Sequence, residues 1–229
     1  MKNHKSEKIT GWLLVLVLFV LIITILNTYL ITNLTSNLST NDVFYNLENF
    51  NMGKPLPDSI KQNGFVLGLD NAPVTVEMFS DYQCPICKIA DDTINQQIIN
   101  QYVMNGKVRF IYRPISILGD ESDISSNAVY CANEQNRLWD YKGTLFANQK
   151  GENQGGFNEY RLIAIGHSIG LDIHKFASCI QSNKYSNLVD RDNQYGKQKG
   201  VNGTPTYFVD GKMIDNNNLL LSNIDSLIK

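Results

Sequence analysis

The sequence has no excess of positive charge and no internal repeat. Its 229 residues include 20 Lys and Arg against 22 Asp and Glu, which gives a formal net charge of −2. A nucleic-acid-binding domain normally carries a clear positive balance, so the composition gives no support for nucleic acid as a partner. The length fits one domain together with a separate N-terminal segment.

Charge is also missing near the N-terminus, where residues 9–41 contain no Asp, Glu, Lys, Arg or His. Leu, Val, Ile and Phe dominate this stretch as far as Leu26, and about twenty such residues in a helix span a bilayer core. Trp12 and Tyr29 stand where interfacial aromatic side chains would lie. We therefore predict a single-pass transmembrane anchor over residues 11–32.

The charges before this span predict its orientation. The segment before the span has three lysines, Lys2, Lys5 and Lys8, and one acidic residue, Glu7. Because positively charged flanks stay on the cytoplasmic side, residues 1–10 are expected in the cytoplasm and the rest of the chain outside it. The alternative is a cleaved signal peptide, which predicts a shorter apolar core and a small-x-small cleavage site. No Ala-x-Ala follows the apolar core. Under either interpretation the folded part is exported to a compartment in which disulfides persist.

Cysteine is scarce, with four residues in the chain, and two of them form the run Cys84-Pro85-Ile86-Cys87. This run follows a strand-like segment and begins a helix-like one. Pro85 suits the first helical position, which places Cys84 at the N-cap, where free backbone N–H groups and the helix dipole favour a thiolate. Thiols in such motifs are more acidic than an ordinary thiol. We predict that Cys84 is the exposed attacking nucleophile and that Cys87 is the shielded resolving thiol.

Half of a zinc site is the alternative interpretation of this motif. Structural zinc needs four ligands, usually from a second close pair of cysteines or histidines. Cys131 and Cys179 lie far apart in the sequence, and His4, His167 and His174 form no pair on a helical face. We therefore expect no metal site and no cofactor.

The residue patterns predict an α/β fold preceded by the anchor. Strands are expected at residues 65–67, 74–80, 108–112, 206–209 and 212–214. A helix is expected from Pro85 to about Val103, and a last helix follows the final strand. Asp210-Gly211 is a hairpin signal between the last two strands.

The segments between these elements set the predicted domain organisation. Residues 33–63 are rich in Asn, Ser and Thr at first and then contain two prolines, which predicts an extracytoplasmic spacer. Residues 64–229 form the folded domain, with a helical insertion at about 119–200. Within it, one helix is expected to carry Cys131 and Leu138 together, and another is expected to begin at Asp172 as its N-cap.

Three stretches carry a family resemblance. They are residues 71–76 (NAPVTV), residues 79–87 (FSDYQCPIC) and residues 200–208 (GVNGTPTYF). Over roughly 64–229 the chain resembles the DsbA-like thiol:disulfide oxidoreductases of the thioredoxin superfamily, in particular the branch with membrane-anchored members. The resemblance implies a thioredoxin-like fold with an inserted all-helical subdomain. It also implies that Pro205 follows a cis peptide bond and that Thr204 and Pro205 face the redox pair and bind substrate.

Two departures from the family pattern concern the redox pair. The dipeptide between the cysteines is Pro-Ile, whereas strongly oxidising members have Pro-His. Related sequences often carry a Glu as buried proton acceptor where this chain has Met78. Glu77 is one residue earlier, and alternation along a strand turns it to the other face of the sheet. The proton acceptor for Cys87 is therefore left open.

Cys131 and Cys179 remain for each other if Cys84 and Cys87 form the redox pair. Both fall on the inward stripe of a predicted helix within the insertion. Two free buried thiols are the alternative, since unpaired cysteine is often buried. An exported location favours a structural disulfide between them.

The first functional hypothesis is an oxidase that passes the Cys84–Cys87 disulfide to exported proteins with free or misbridged cysteines. It would be reoxidised by a membrane quinone-linked redox partner. The second is a reductase or isomerase of the same fold. The third is a non-enzymatic anchored module that binds a ligand or a metal.

Overall fold

A computed structural model describes residues 4–37 and 48–228. The chain divides into two compact units, residues 1–47 and 48–229. The described residues of the first unit form helix α1 (His4–Asn37), which extends past the predicted anchor at both ends. Its segment Val15–Thr32 is long and apolar enough to cross a membrane. Residues 1–3 of the predicted cytoplasmic end and residues 38–47 of the predicted spacer lie outside the described residues.

The second unit contains a six-stranded mixed sheet. Its strands are β1 (Gln62–Asn63), β2 (Val66–Leu67), β3 (Val74–Ser80), β4 (Val108–Pro114), β5 (Thr206–Val209) and β6 (Lys212–Ile214). Their order is β1-β2-β4-β3-β5-β6, in which β3 and β4 are parallel and the other neighbours antiparallel. The hairpin β5–β6 has the predicted bounds, and Asp210 and Gly211 in its turn have φ values of 47° and 79°.

The helices of this unit are α2 (Pro85–Asp92), α3 (Ile94–Ile98), α4 (Asp120–Glu134), α5 (Leu138–Ala147), α6 (Glu159–Ser168), α7 (Ile173–Gln181), α8 (Ser186–Gln198) and α9 (Leu220–Leu227). Helices α4 to α8 lie between β4 and β5, which is the predicted helical insertion. Helix α4 packs against α5, α7 and α8 and forms the centre of this block.

Two helices differ from the sequence prediction. The helix expected from Pro85 to Val103 is interrupted at Thr93 (φ −123°, ψ −87°) and continues as α3 and a π-helical turn, Ile99–Val103. The residues assigned to one helix with Cys131 belong to two, α4 and α5. Asn136 between them has φ 57°, a left-handed conformation that ends a helix. The Asp172 cap is as predicted, since its carboxylate accepts from the backbone N–H of Lys175 at 3.2 Å.

The compact unit begins at Glu48, earlier than the expected domain start at residue 64. The Glu48 carboxylate pairs with the buried Arg161 Nε at 3.0 Å. A Cβ atom on Gly53 would lie 2.3 Å from the carbonyl carbon of Gly143, so only glycine fits this contact. Such long-range contacts leave no periodic pattern in the sequence.

Strand β3 separates the two faces of the sheet. Glu77 projects to one face, where its carboxylate binds Arg113 Nε at 2.8 Å and lies 3.7 Å from Lys199 Nζ. Met78 projects to the other face, where its Sδ accepts from Asn95 Nδ2 at 3.2 Å. Alternation along the strand thus removes Glu77 from the side that carries α2.

Candidate active site

Helix α2 places the two motif cysteines at its N-terminus. Cys84 is the N-cap residue, with φ −70° and ψ 118°, and Pro85 occupies the first helical position as predicted. The Cys84 Sγ accepts from the backbone N–H of Cys87 at 3.2 Å. This contact uses one of the N–H groups that a helix start leaves without an intrahelical partner. The arrangement concentrates positive potential on Cys84.

The two sulfur atoms have different surroundings. Cys84 and Cys87 are free thiols, and their exposed fractions are 6% and 0%. Cys84 is therefore the more accessible of the two, but it is less exposed than the sequence predicted. Hydrogen bonds to the Cys84 sulfur lower its pKa to about 6, because their effect exceeds the opposite effect of partial burial. The largest contribution comes from the Cys87 side chain, and the others come from the Thr204 side chain and two backbone N–H groups. Burial and the contact with Cys84 raise the pKa of Cys87 above its usual value.

The loop before β5 brings a second predicted pair of residues to this sulfur. The Thr204–Pro205 peptide bond is cis. The Cys84 thiol donates to the Thr204 carbonyl oxygen at 3.4 Å, across 120 residues of sequence. Both loop residues are half-buried beside the reactive sulfur, and the Pro205 carbonyl accepts from Asn217 Nδ2 at 3.4 Å.

Asp81 fixes the loop that precedes Cys84, a role that was not predicted from the sequence. Its carboxylate is fully buried and accepts four hydrogen bonds. Oδ1 accepts from Gln83 N at 2.8 Å and Ser122 Oγ at 2.7 Å, and Oδ2 accepts from Ile117 N at 2.8 Å and Leu118 N at 3.1 Å. The redox loop is thereby tied to the start of the helical insertion. The Asp81–Gln83 spacing is typical of an Asx turn, which is a local signal.

Gln149 supports the same loop from the insertion. Its Nε2 donates to the Tyr82 carbonyl at 2.6 Å and to the Cys84 carbonyl at 3.1 Å. No sequence pattern identifies this residue, because it lies more than sixty positions from the motif.

Cys131 of α4 and Cys179 of α7 are joined by a disulfide, with an S–S distance of 2.06 Å and Cα atoms 5.9 Å apart. The bond links two helices of the insertion and leaves Cys84 and Cys87 to each other. Among residues 4–37 and 48–228, no group of three or more His, Cys, Asp or Glu side chains is placed to hold a metal.

A dithiol at a helix N-terminus, opposite a cis-proline loop on a mixed sheet with a helical insertion, defines a thioredoxin-like redox protein. A family model described as thioredoxin matches residues 61–229. Disulfide bond formation protein D of Bacillus subtilis is 27% identical over 154 residues, which cover 66% of this chain and 69% of that protein. A probable disulfide bond formation protein D of Bacillus cereus is 26% identical over 151 residues, 64% of this chain and 70% of that protein.

A structural relative supports the same fold. The crystal structure of oxidised BdbD from Bacillus subtilis superposes with a TM-score of 0.67 at 24% identity, covering 79% of this chain and 99% of that chain. The chain belongs to the thioredoxin family, within its DsbA-like thiol:disulfide oxidoreductases.

Proposed function

We propose that this protein is a membrane-anchored, extracytoplasmic oxidase that donates the Cys84–Cys87 disulfide to exported proteins. A substrate thiolate attacks the Cys84 sulfur and breaks the Cys84–Cys87 bond, and Cys87 leaves as a thiolate that takes up a proton. A second substrate thiolate then attacks the substrate sulfur of this mixed disulfide and releases the Cys84 thiolate. The substrate loses two electrons and gains a disulfide, and the enzyme becomes a dithiol.

The place of Cys84 at the N-cap of α2, where its sulfur accepts from the Cys87 backbone N–H at 3.2 Å, is the observation that carries this direction, because it stabilises the thiolate. Lowering the pKa of Cys84 from 9.0 to about 6 favours the reduced enzyme. At pH 7 this corresponds to about 1.4 kcal/mol, or about 30 mV for a two-electron couple. An enzyme with a stabilised reduced form gives its disulfide away more readily. The Pro-Ile dipeptide supplies no side-chain donor to the thiolate, which supports an oxidant of intermediate strength.

The surface around Cys84 supports a polypeptide substrate. Ile86 and Ile89 are 57% and 54% exposed on α2. The half-buried Thr204–Pro205 backbone beside Cys84 can pair with an extended chain as an added strand would. We therefore assign substrate binding to Thr204 and Pro205, with exported proteins that carry free or misbridged cysteines as substrates.

Helix α1 supports the location. It has the length and apolar composition of a membrane span, and the lysines before it favour a cytoplasmic N-terminus. A domain held at the outer membrane surface has ready access to a membrane quinone-linked partner, to which we assign reoxidation of Cys84 and Cys87.

The reduction potential of the Cys84–Cys87 pair tests the direction. We expect the full-length protein in detergent micelles, equilibrated with glutathione buffers, to have a value between about −120 mV for DsbA and about −270 mV for thioredoxin. A value more negative than that of thioredoxin would favour a reductase and overturn the proposal.

Trapping of substrates tests the cysteine roles. Cys87→Ser lacks the resolving thiol and should accumulate mixed disulfides with exported proteins, seen as thiol-sensitive adducts on non-reducing gels. Cys84→Ser is the matched control and should accumulate far fewer. Equal trapping by both variants would contradict the assignment of Cys84 as the nucleophile.

A further inference from the structure

Asparagine is followed directly by glycine at three places in the chain. They are Asn63-Gly64, Asn105-Gly106 and Asn202-Gly203. In this dipeptide the backbone nitrogen of the glycine can attack the side-chain amide of the asparagine, because glycine has no Cβ to hinder the approach. The attack requires that both groups are free to move toward each other, and the structure holds the three pairs differently.

The pair Asn105-Gly106 is held at both reacting groups. The Asn105 side chain donates from Nδ2 to the Gln101 carbonyl at 2.9 Å. The backbone N–H of Gly106 donates to the Val103 carbonyl at 3.0 Å. Both hydrogen bonds must break before the glycine nitrogen can reach the asparagine side chain.

The pair Asn63-Gly64 is held by a hairpin. Asn63 ends β1, where it pairs with Val66 of β2. The Gly64 carbonyl accepts from the indole Nε1 of Trp139 at 2.9 Å. Strand pairing keeps the backbone of Asn63 extended, so the attack would require the hairpin to open.

The pair Asn202-Gly203 is not held in either way. Asn202 is exposed, and both residues lie outside helices and strands. Among residues 4–37 and 48–228, neither the Asn202 side chain nor the Gly203 N–H has a hydrogen-bond partner. Apart from the adjacent residues of the chain, no heavy atom lies within 4 Å of the position that a Cβ of Gly203 would occupy. The two reacting groups can therefore approach each other without breaking a contact.

This pair adjoins the candidate active site. Asn202 stands two residues before Thr204, whose carbonyl oxygen accepts from the Cys84 thiol at 3.4 Å. Two residues of chain span at most about 7 Å between Cα atoms. A change in the main chain at Asn202 is thereby passed directly to the loop that faces the reactive sulfur.

We propose that Asn202 is a site of spontaneous covalent modification, at which the Gly203 nitrogen attacks the side-chain amide and the residue becomes isoaspartate or aspartate. The Gly203 nitrogen forms a bond to Asn202 Cγ and loses its proton, and the Cγ–Nδ2 bond breaks so that Nδ2 leaves with this proton as ammonia. Water then opens the five-membered succinimide at one of its two carbonyl carbons. The side-chain carbonyl gives aspartate and the backbone carbonyl gives isoaspartate. Water is consumed, ammonia is released and no electron is transferred.

The two products should affect the active site differently. Isoaspartate routes the main chain through Cβ, which lengthens the loop before Thr204 by one methylene group and displaces Thr204 and Pro205 from Cys84. Aspartate adds only an exposed charge, which is screened over about 10 Å at an ionic strength of 0.1 M. We therefore expect isoaspartate to slow disulfide transfer to a peptide and aspartate to have little effect. This expectation rests on the proposed function, whereas the modification itself does not.

Peptide mapping of the full-length protein in detergent micelles tests the site. The protein is kept at mildly alkaline pH, and mass spectrometry follows the change from amide to acid at the three asparagines, which serve as controls for one another. Asn202 should be converted about tenfold or more faster than Asn105, because two hydrogen bonds of ordinary strength must break at Asn105. Asn63 should also be slower than Asn202. In concentrated urea the three residues should be converted at similar rates, because the fold no longer holds them.

Two variants separate the chemistry from the fold. Gly203→Ala keeps Asn202 and places a methyl group in open space, so the protein should fold normally while conversion of Asn202 slows markedly. Asn202→Gln keeps an amide but would have to form a six-membered ring, and it should stay unmodified.

Disulfide transfer from the oxidised protein to a reduced peptide with two cysteines tests the effect on the loop. The fraction of unaltered protein that contains isoaspartate should transfer its disulfide about two- to tenfold more slowly, as expected for the loss of one backbone hydrogen bond to the peptide. Asn202→Gln kept under the same conditions and fresh Asn202→Asp should stay within about twofold of the fresh unaltered protein.

Conversion of Asn202 no faster than Asn105 in the folded protein would overturn the site. An equal lead of Asn202 in urea would also overturn it, because the fold would then not be the cause. Normal disulfide transfer by protein that contains isoaspartate would overturn the effect on the loop. If the fresh unaltered protein transfers no disulfide to the peptide, the proposed function fails and the effect on the loop fails with it, whereas peptide mapping still decides the modification of Asn202.

Discussion

The acidity of Cys84 should depend on the side chain of Cys87. The contact with that side chain is the largest cause that lowers the pKa of Cys84 to about 6. A hydrogen bond to a charged group contributes about 1.5–3 kcal/mol, so Cys87→Ala should make Cys84 about ten- to a hundredfold less acidic. Cys87→Ser keeps a hydroxyl donor at this place and should have a smaller effect. The Cys87 backbone N–H at 3.2 Å remains in both variants and should keep Cys84 more acidic than an ordinary thiol.

The rate of alkylation by iodoacetamide between pH 4.5 and 9.5 measures this acidity, because only the thiolate reacts. Cys131 and Cys179 do not interfere while their disulfide is intact. In the reduced protein the rate at Cys84 should reach half of its plateau near pH 6. The midpoint should move to higher pH in Cys87→Ala and by less in Cys87→Ser. A midpoint in Cys87→Ala that equals that of the unaltered protein would refute the assignment of the Cys87 thiol as the main stabilising group.

Three further outcomes are expected. The Cys84 thiolate stabilises only the reduced form, and because its pKa is lowered from 9.0 to about 6, this contribution is lost as pH falls through 6 and grows from 6 toward 9. The melting temperature of the reduced form minus that of the oxidised form, measured by calorimetry, should therefore rise from pH 6 to 8. A flat or falling difference would contradict this. The double variant Cys131→Ala/Cys179→Ala removes a disulfide that closes a loop with a sequence separation of 48, so its free energy of unfolding in urea should fall by about 4 kcal/mol, with the reduction potential of Cys84–Cys87 unchanged. A fall of less than 1 kcal/mol would show that the bond contributes little to stability. Pro205→Ala alters the loop that faces Cys84 and should slow release of a bound peptide, so the mixed disulfide should live longer while the free energy of unfolding stays unchanged. Release at the normal rate would show that Pro205 is not part of the substrate site.

The redox motif was readable from sequence because its signals are local. A β-branched strand, a proline at the first helical position and a cysteine at the N-cap act over a few residues, and the structure places Cys84 and Cys87 accordingly. The hairpin around Asp210-Gly211 and the Asp172 cap are of the same kind, since turn and cap chemistry depends on one or two side chains. The apolar run of α1 needs only composition and length.

Elements whose ends depend on packing were predicted less well. The break at Thr93 and the left-handed Asn136 divide helices that apolar spacing joined. The ion pair of Glu48 with Arg161 and the close backbone contact of Gly53 with Gly143 extend the folded unit toward the N-terminus. Each depends on a surface contributed by a distant segment, which leaves no periodic pattern.

The sequence by itself therefore determined the kind of chemistry, through two cysteines on the first turn of a helix. Only the tertiary structure decided what surrounds them: Thr204 against the Cys84 sulfur across 120 residues, and Lys142 on Asp91 across 51. Local backbone preferences act over one or two turns of chain, whereas burial and charge pairing depend on which segments meet after folding. The acidity of Cys84 is of this second kind.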